Sequence, residues 1–497
     1  MTTPMPFIDS FLNQITMYKL VFYGLLLLAA ASVILGFLNL IPYGGLALAA
    51  SFLVLLIGTW GADALFARVL HAARNLESSW ITALILFFIM SPITGMSDVW
   101  ITLAAGVLAA LSKYLFAIRK RHIFNPAAAA LVALGLIGTG GAIWWVATPI
   151  LLLPVLALGL LITRKIRRFD LLSAFIVTET LVAVAYGVFS FQVPILDTLS
   201  QNFLSFPVIF FGTIMLTEPF TTPPTRTLRI IYGALAGLLF VIPFHLALPW
   251  GGIYSTPALA LVLANLFAYA VSSKQRLMLT LIGKDQLSAS VYEFVFRPNV
   301  APRFFAGQYM EWTLPHKKTD IRGNRRYFTI ASAPEEKEVR LGIRIGERSS
   351  SFKKALEAMP EGSTMAAASI AGGFTLPRDQ TAKILAIAGG IGITPFISML
   401  RSMVATGKKR DMVIIYAANA EADFAYADVI DSAAALGVRA FFLPGKPITK
   451  ELLEAQVPDH HEREWYISGP QGMVARYKTL ARSCGIDRIK TDYFPGL

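Results

Sequence analysis

Four short strings hold the residue types that could do chemistry. Arg326-Tyr327-Phe328-Thr329 sets a cation, two aromatic rings and a hydroxyl in consecutive positions. A guanidinium is a planar fork matched to phosphate oxygens, so the string suits a phosphorylated aromatic ligand. Ala388-Gly389-Gly390-Ile391-Gly392-Ile393-Thr394-Pro395 follows an apolar strand-like run from Lys383. Its glycines let backbone amides approach a dinucleotide phosphate, and Thr394-Pro395 suits the start of a helix. The other two strings, His122-Ile123-Phe124-Asn125-Pro126 and Thr217-Glu218-Pro219, lie in apolar surroundings. There an imidazole, an amide and a carboxylate are costly unless they are used.

Lesser signals accompany these. Arg344 and Ser349-Ser350-Ser351 could receive a pyrophosphate on hydroxyls and on the first amides of a helix over about 351–358. A serine run is equally a plain helix cap. Ser468-Gly469-Pro470 follows another apolar strand. Glu179 falls in the middle of an apolar span, where a carboxylate points to proton relay, cation coordination or a neutral acid bonded to a neighbouring helix. Asp63 lies near a span end and is expected to pair with a nearby cation.

The elements that must position these groups divide at about residue 273. The chain has 497 residues, 55% hydrophobic and 15% charged, against about 25% charged in soluble proteins. Residues 1–272 hold only 13 Lys/Arg and 8 Asp/Glu. Integral membrane residence follows, and the net charge of +13 reflects topology more than nucleic-acid binding. The first apolar run, Met17 to Leu40, is long enough to span and lacks the basic flank of a signal peptide. One cysteine, Cys484, excludes disulfides and a Cys-ligated iron–sulfur cluster within this chain. No metal site is expected.

Apolar runs predict about ten spans: 17–40, 44–68, 79–95, 98–118, 125–145, 147–164, 170–191, 205–220, 229–248 and 253–272. The division at Trp144-Trp145 is the least defined. Loops after even-numbered spans carry the cations, among them Arg68, Arg74, Arg119 to Arg121, Arg164 to Arg168, Arg226 and Lys274. Loops after odd-numbered spans carry none. The positive-inside rule then puts both termini and the C-terminal half in the cytoplasm.

Spans three and eight are short, polar and proline-bearing, and spans five and ten begin alike, Asn125-Pro126 against Thr256-Pro257. Matched interruptions in two halves mark an inverted five-helix repeat with sites at its interface. The cytoplasmic site would use Ser79, Thr82, His122, Asn125, Glu218 and Thr221. The outer one would use Pro92, Thr94, Ser205, Ser255 and Thr256. Helix ends alone would explain each string singly.

With Tyr232-Gly233-Ala234-Leu235-Ala236-Gly237 and Leu263-Ala264-Asn265, these strings resemble the RnfD/NqrB family of membrane flavoprotein subunits over about residues 60–272. The resemblance implies a flavin in the membrane half. That family holds FMN covalently through a threonine where this chain has Val208, which lacks a hydroxyl. Only a noncovalent flavin, FMN or riboflavin, is compatible with these sites.

From Leu277 the pattern alternates with period two, as in a small barrel. Arg326 to Thr329 and the glycine turn together resemble the ferredoxin–NADP reductase family, over about 277–497. The resemblance implies an FAD-binding β-barrel (277–377) and an NAD(P)H-binding α/β domain (378–497), after a transmembrane domain (1–272). Arg326 would pair with the flavin phosphate, Phe328 would lie along the ring and Thr329 near its N5. Ser468 stands where the family usually has cysteine beside the nicotinamide. The C-terminal aromatic shield of the family is replaced by Phe494-Pro495-Gly496-Leu497.

The expectation is therefore a flavin-dependent NAD(P)H oxidoreductase of the bacterial inner membrane. It would pass electrons through FAD to a membrane quinone or a carrier outside. A redox-driven cation pump and a transporter with a regulatory reductase domain are the alternatives. A haem-type reductase fits poorly, since His71, His122 and His245 all lie near span ends. NADH and NADPH are not distinguished.

Overall fold

The structure, a computed structural model, describes residues 8, 11–12, 15–70, 76–118, 121–140, 142–248, 251–272, 277–317, 319–320, 323–346 and 349–492. His71, the loop cations Arg74, Arg119, Lys120, Lys274 and Arg276, and Phe494 to Leu497 lie outside them. The chain forms two compact units, Met1–Lys274 and Gln275–Leu497.

In the first unit the ten apolar runs become helices of unequal length. Five are long and apolar enough to cross a membrane: α1 (Met17–Phe37), α2 (Gly45–Val69), α4 (Met96–Leu115), α6 (Pro149–Ile166) and α7 (Phe169–Phe191). A sixth candidate span is a broken pair, α8 (Ile195–Ser205) and α9 (Val208–Met215), bent by 61°. The apolar helices α3 (Leu76–Ile89), α5 (Pro126–Leu136) and α11 (Pro257–Val271) have 14, 11 and 15 residues, below the roughly 20 needed to cross alone. Helix α10 (Arg226–Val241) has 16.

The short helices start and stop for identifiable reasons. Asn125 caps α5 by accepting the Ala128 N–H at 3.2 Å, and Thr256 caps α11 by accepting the Leu259 N–H at 3.1 Å, with proline first in each helix. At the far end of α3 the carbonyls need donors. Trp145 Nε1 donates to Phe87 O (2.6 Å), Val146 N to Phe88 O (3.2 Å), and Ile143 and Trp144 N to Ile89 O. The stretch around Trp144-Trp145 is thus the irregular plug that closes α3, rather than part of a span. Helices α7 and α10 meet on glycines: a Cβ on Gly237 would lie 2.8 Å from Phe175 O and 2.9 Å from Glu179 N.

The second unit begins with a six-stranded antiparallel sheet. Its strands are β1 (Leu277–Gln286), β2 (Val291–Pro298), β3 (Tyr309–Thr313), β4 (Arg325–Thr329), β5 (Val339–Arg344) and β6 (Thr364–Ala371). The order is β4-β3-β6-β1-β2-β5, and the Ala331 N–H donates to Arg340 O at 2.9 Å, tying the two edges together. Alternate residues such as Phe294, Phe296, Met310, Trp312 and Leu341 fill the interior.

A parallel five-stranded sheet follows, with β7 (Ile384–Gly389), β8 (Met412–Ala418), β9 (Val438–Pro444), β10 (Glu464–Ser468) and β11 (Ile489–Asp492) in the order β9-β8-β7-β10-β11. Strand β7 is buried along its whole length, as a central parallel strand must be. Helix α12 (Thr394–Thr406) leaves its end.

Helix α12 joins the two sheets. Ser398 Oγ donates to Ser332 O at 2.7 Å and accepts the Gly307 N–H at 3.3 Å. Arg401 reaches the buried Glu293 carboxylate with both Nη atoms (2.9 and 3.0 Å), and Arg340 adds a third contact at 3.0 Å. Burial alone would raise the Glu293 pKa, but the two guanidinium groups outweigh it and hold the carboxyl below its usual 4.5. A depressed carboxyl stabilises the fold above its unfolded pKa and ceases to as pH falls through the folded value. Removing one partner of a buried pair costs about 3–5 kcal/mol. Arg401→Met should therefore lower the melting midpoint of the C-terminal unit at pH 7, measured by calorimetry on the intact protein. The deficit should shrink as pH drops below 4.5. A deficit that does not vary with pH would discount this ion cluster.

Candidate functional site: a nucleotide cleft and a buried polar cluster

Ligands of open parallel sheets bind outside the carboxyl ends of the strands, where the strand order reverses. Here that point lies between β7 and β10, and both following turns carry the expected glycines. A Cβ on Gly392 would fall 2.6 Å from both Gly469 Cα and Ser468 O, and one on Gly389 would fall 2.2 Å from Met473 Sδ. The two turns are packed backbone to backbone, which only glycine permits. Gly390, at φ +51°, instead has nothing within 4 Å of its Cβ position. It leaves the turn open on the side where a phosphate would approach. Thr394 is buried, its hydroxyl donating to Ile391 O at 3.1 Å, and Pro395 sits in the first turn of α12.

In the antiparallel sheet, Arg326 donates to Gly323 O (3.1 Å), Arg325 O (2.7 Å) and Asp320 Oδ1 (3.3 Å), with its guanidinium over the Phe352 ring at 5.5 Å. Asp320 Oδ2 also accepts the Ser351 N–H at 3.0 Å. Asp320 is thus the anion that Arg326 and the Ser351 amide hold in this structure. Phe328 packs on Phe352 at 5.8 Å, whereas Tyr327 is 43% exposed and donates to Glu311 at 2.8 Å. Thr329 is buried at the strand end. Ser350 Oγ accepts the Lys353 N–H of its own seven-residue helix, Ser351–Glu357, the plain capping role. Arg344 donates to Ser290 Oγ at 3.1 Å and pairs with Asp423 at 3.6 Å.

Residues 386–441 match the family model of the oxidoreductase NAD-binding domain. The C-terminal unit thus contains an NAD-binding domain of the oxidoreductase type. A flavohemoprotein of Pseudomonas putida is 27% identical over 233 residues, 43% of this chain and 57% of that protein. An NADPH oxidoreductase of Mycobacterium tuberculosis is 32% identical over 130 residues, 25% and 34% of the two chains. The FAD/NAD-binding domain of a Vibrio cholerae nitric oxide dioxygenase covers 44% of this chain and 98% of its own, at 19% identity and a TM-score of 0.39. The chain spans about half the length of most of the curated flavohemoproteins it matches, for example 57% and 52%. The flavohemoprotein relatives cover the oxidoreductase domain alone.

In the membrane-type unit the structure gathers three expected residues. Glu218 Oε1 lies 3.0 Å from His122 Nε2, and Oε2 accepts from Asn125 Nδ2 at 2.9 Å. The Asn125 N–H donates to Asn265 Oδ1 (2.9 Å), and Asn265 Nδ2 donates to the Tyr232 hydroxyl (2.8 Å). Thr82 lines a cleft with Asn125 and Glu218, its hydroxyl bonded to Ser78 O. Ser79 is buried on α3, and Thr221 Oγ1 donates to Glu218 O at 3.3 Å.

The outer set is not gathered. Ser205 and Thr256 are exposed, Thr94 bonds Asp98, and no hydrogen bond joins these three among the described residues. Asp63 accepts from the Tyr114 hydroxyl at 2.9 Å. Glu179 is fully buried. Its Oε2 accepts from Asn202 (3.0 Å) and Thr180 (3.2 Å), while Oε1 has no partner among the described residues.

Sequence reasoning gave no role to Asp320, Ser398, Arg401 or Glu293. Ser398, Arg401 and Glu293 find partners 47 to 108 positions away, and no local pattern marks Asp320, six residues before Arg326. Because Gly392 holds the two turns together, Gly392→Ala should displace the nucleotide relative to the flavin. A misplacement of about 1 Å can cost about 10²-fold in rate. Anaerobic stopped-flow at the flavin absorbance should show slowed reduction by NAD(P)H with flavin content unchanged. An unaltered rate would separate this turn from nucleotide binding.

Proposed function

We propose that this chain is a membrane-bound oxidoreductase that passes electrons from NAD(P)H through FAD to a quinone in the bilayer or to a carrier beyond it. The observation that carries the reading is the polar cluster of Glu218, His122 and Asn125, built into an apolar unit on the same chain as an oxidoreductase domain.

In this reading Arg326 and the Ser351 amide hold the flavin phosphate, with Thr329 at the edge of the ring. The Gly389–Gly392 turn, Gly469 and Pro470 receive the nucleotide, and buried Ser468 stands by the nicotinamide. A bound flavin supplies hydride acceptance and release of electrons one at a time. The protein keeps both ligands oriented through the packed turns and the Ser398 and Arg401 contacts. A bilayer core of about 30 Å makes a further carrier necessary for any crossing. A noncovalent flavin, FMN or riboflavin, in the membrane unit would serve, in keeping with the RnfD/NqrB resemblance.

A second reading, a redox-driven cation pump, is favoured by one feature. At mid-helix Glu179 keeps a buried oxygen without a donor among the described residues, the kind of group that ion paths employ.

The test is to purify the protein in mild detergent, reduce it anaerobically with NADH or NADPH, and count acid-released flavins per chain. Two or more, all reduced by nucleotide, are expected for a relay. One FAD alone, with no other redox group, would confine electron transfer to the C-terminal unit.

A further inference from the structure

Two residues of the C-terminal unit each carry a local cost that their own sequence neighbours do not explain. Tyr426 takes a left-handed backbone, φ +64° and ψ +28°, just before the short helix Ala427–Ser432. A bulky side chain rarely adopts that conformation, which persists only where the surroundings over-determine it. Gly342 lies inside β5, outside the left-handed region. Glycine weakens a strand there and marks a place where another group comes close. The two residues meet. A Cβ on Gly342 would fall 2.3 Å from the Tyr426 hydroxyl oxygen and 2.8 Å from Thr394 Cγ2. Gly342 is therefore a notch, and Tyr426 and Thr394 fill it.

Both sides of the notch are fixed. Gly342 faces Glu293 across the ladder of β5 and β2. Arg401, which holds the Glu293 carboxylate, also lies over the Tyr426 ring at 5.5 Å. The segment before Tyr426 is clamped from the parallel sheet. Phe424 packs edge-on against Tyr416 (4.9 Å) and Phe442 (5.1 Å), and the Ala425 N–H donates to the Tyr416 hydroxyl at 3.4 Å. Tyr426 is buried, which pushes its phenol well above the usual range, so it stays neutral beside Glu293. The notch also lies on a short path between the two ligand-binding strings. Thr394 directly follows the glycine turn, and Gly342 stands two residues after Arg340, whose carbonyl accepts the Ala331 N–H just beyond β4.

We propose that this notch sets the distance across which hydride passes, with Gly342 and Tyr426 as positioning residues. The proposal rests on the oxidoreductase reading above and names what holds its two ligands at working distance. In that reaction NAD(P)H gives up a hydride to become NAD(P)⁺, and the hydride with one proton reduces the bound flavin by two electrons. Both residues act through other groups: Thr394 and its glycine turn on one side, β5 and the end of β4 on the other. With a methyl on Gly342 the Tyr426 oxygen must retreat from 2.3 Å to the 3.4 Å of ordinary contact. A displacement of about 1 Å can cost about 10²-fold in rate.

The test uses the full-length FAD-loaded protein in mild detergent and a cycle of two substitutions. In anaerobic stopped-flow, Gly342→Ala should slow flavin reduction about 10²-fold at saturating NADH or NADPH, with nucleotide Kd and flavin content unchanged. The 4-deuterated nucleotide should react more slowly still, which identifies hydride transfer as the step observed. Tyr426→Phe removes the oxygen from the notch. Added to Gly342→Ala it should recover about tenfold of the lost rate and, by calorimetry, most of the lost melting midpoint. Independent packing defects would instead add. Additive losses in both measurements would overturn the proposal, as would a wild-type rate in Gly342→Ala or a loss confined to nucleotide Kd. If Gly342→Ala does not fold, Tyr426→Phe alone decides: reduction should slow several-fold at unchanged Kd, and a wild-type rate would overturn the proposal. A wild-type flavin that neither nucleotide reduces would count against the oxidoreductase reading instead, and the calorimetric cycle would still decide whether the two residues are coupled.

Discussion

An ionisable group inside an apolar unit must be satisfied by protein, and in the N-terminal unit this constraint is concentrated on Glu218. Its carboxylate draws in His122 and Asn125, Asn125 draws in Asn265, and Asn265 draws in Tyr232. That chain of bonds ties the loop before α5, the turn after α9, α10 and α11 into one arrangement. A network with every member satisfied is rigid and specifies a single packing. The same bonds fix where α5 begins. Its first turn is fixed where Asn125 both caps the helix and reaches Glu218.

The C-terminal unit depends on a constraint of the opposite kind, close approach without side chains. Gly392 and Gly469 bring two turns into backbone contact at the carboxyl ends of β7 and β10. Helix α12 starts at the first turn and carries Ser398 and Arg401 along its length. Those two residues grip the antiparallel sheet at Ser332 and Glu293. The nucleotide turn and the flavin strand are therefore fixed to one helix, which suits a reaction sensitive to small displacements.

Local features were legible in the sequence because their physics is local. The glycine turn, the Thr394-Pro395 helix start and the Asn125-Pro126 and Thr256-Pro257 caps involve residues within four positions of one another. Helix α8 (Ile195–Ser205), the first half of the bent pair, fell between the expected spans, whereas the brevity of span three was readable from proline and polar residues, and α3 is short. The plug around Trp144-Trp145 was not, because its purpose is to satisfy carbonyls of α3 more than fifty residues earlier; Trp145 and Phe87 are 58 apart. Nor was the pairing of Glu293 with Arg401 across 108 positions, or of Asn125 with Asn265 across 140. Within the flavin strand the alternation of exposure, Tyr327 outward and Phe328 toward Phe352, also depends on which face the sheet turns inward.

Two acids of the N-terminal unit, the part-buried Glu218 and the buried Glu179, differ in their surroundings. Glu218 has a donor on each oxygen and lines a cleft. Glu179 is buried, with one oxygen lacking a donor among the described residues, a situation that costs about 1–3 kcal/mol. Its other oxygen is held by Asn202 of α8, the first half of the broken pair. Relief of that cost requires either an arriving cation or proton, or a shift of α8 about the bend. In the proposed reading, any coupling of ion movement to electron transfer would therefore involve Glu179 and the bend.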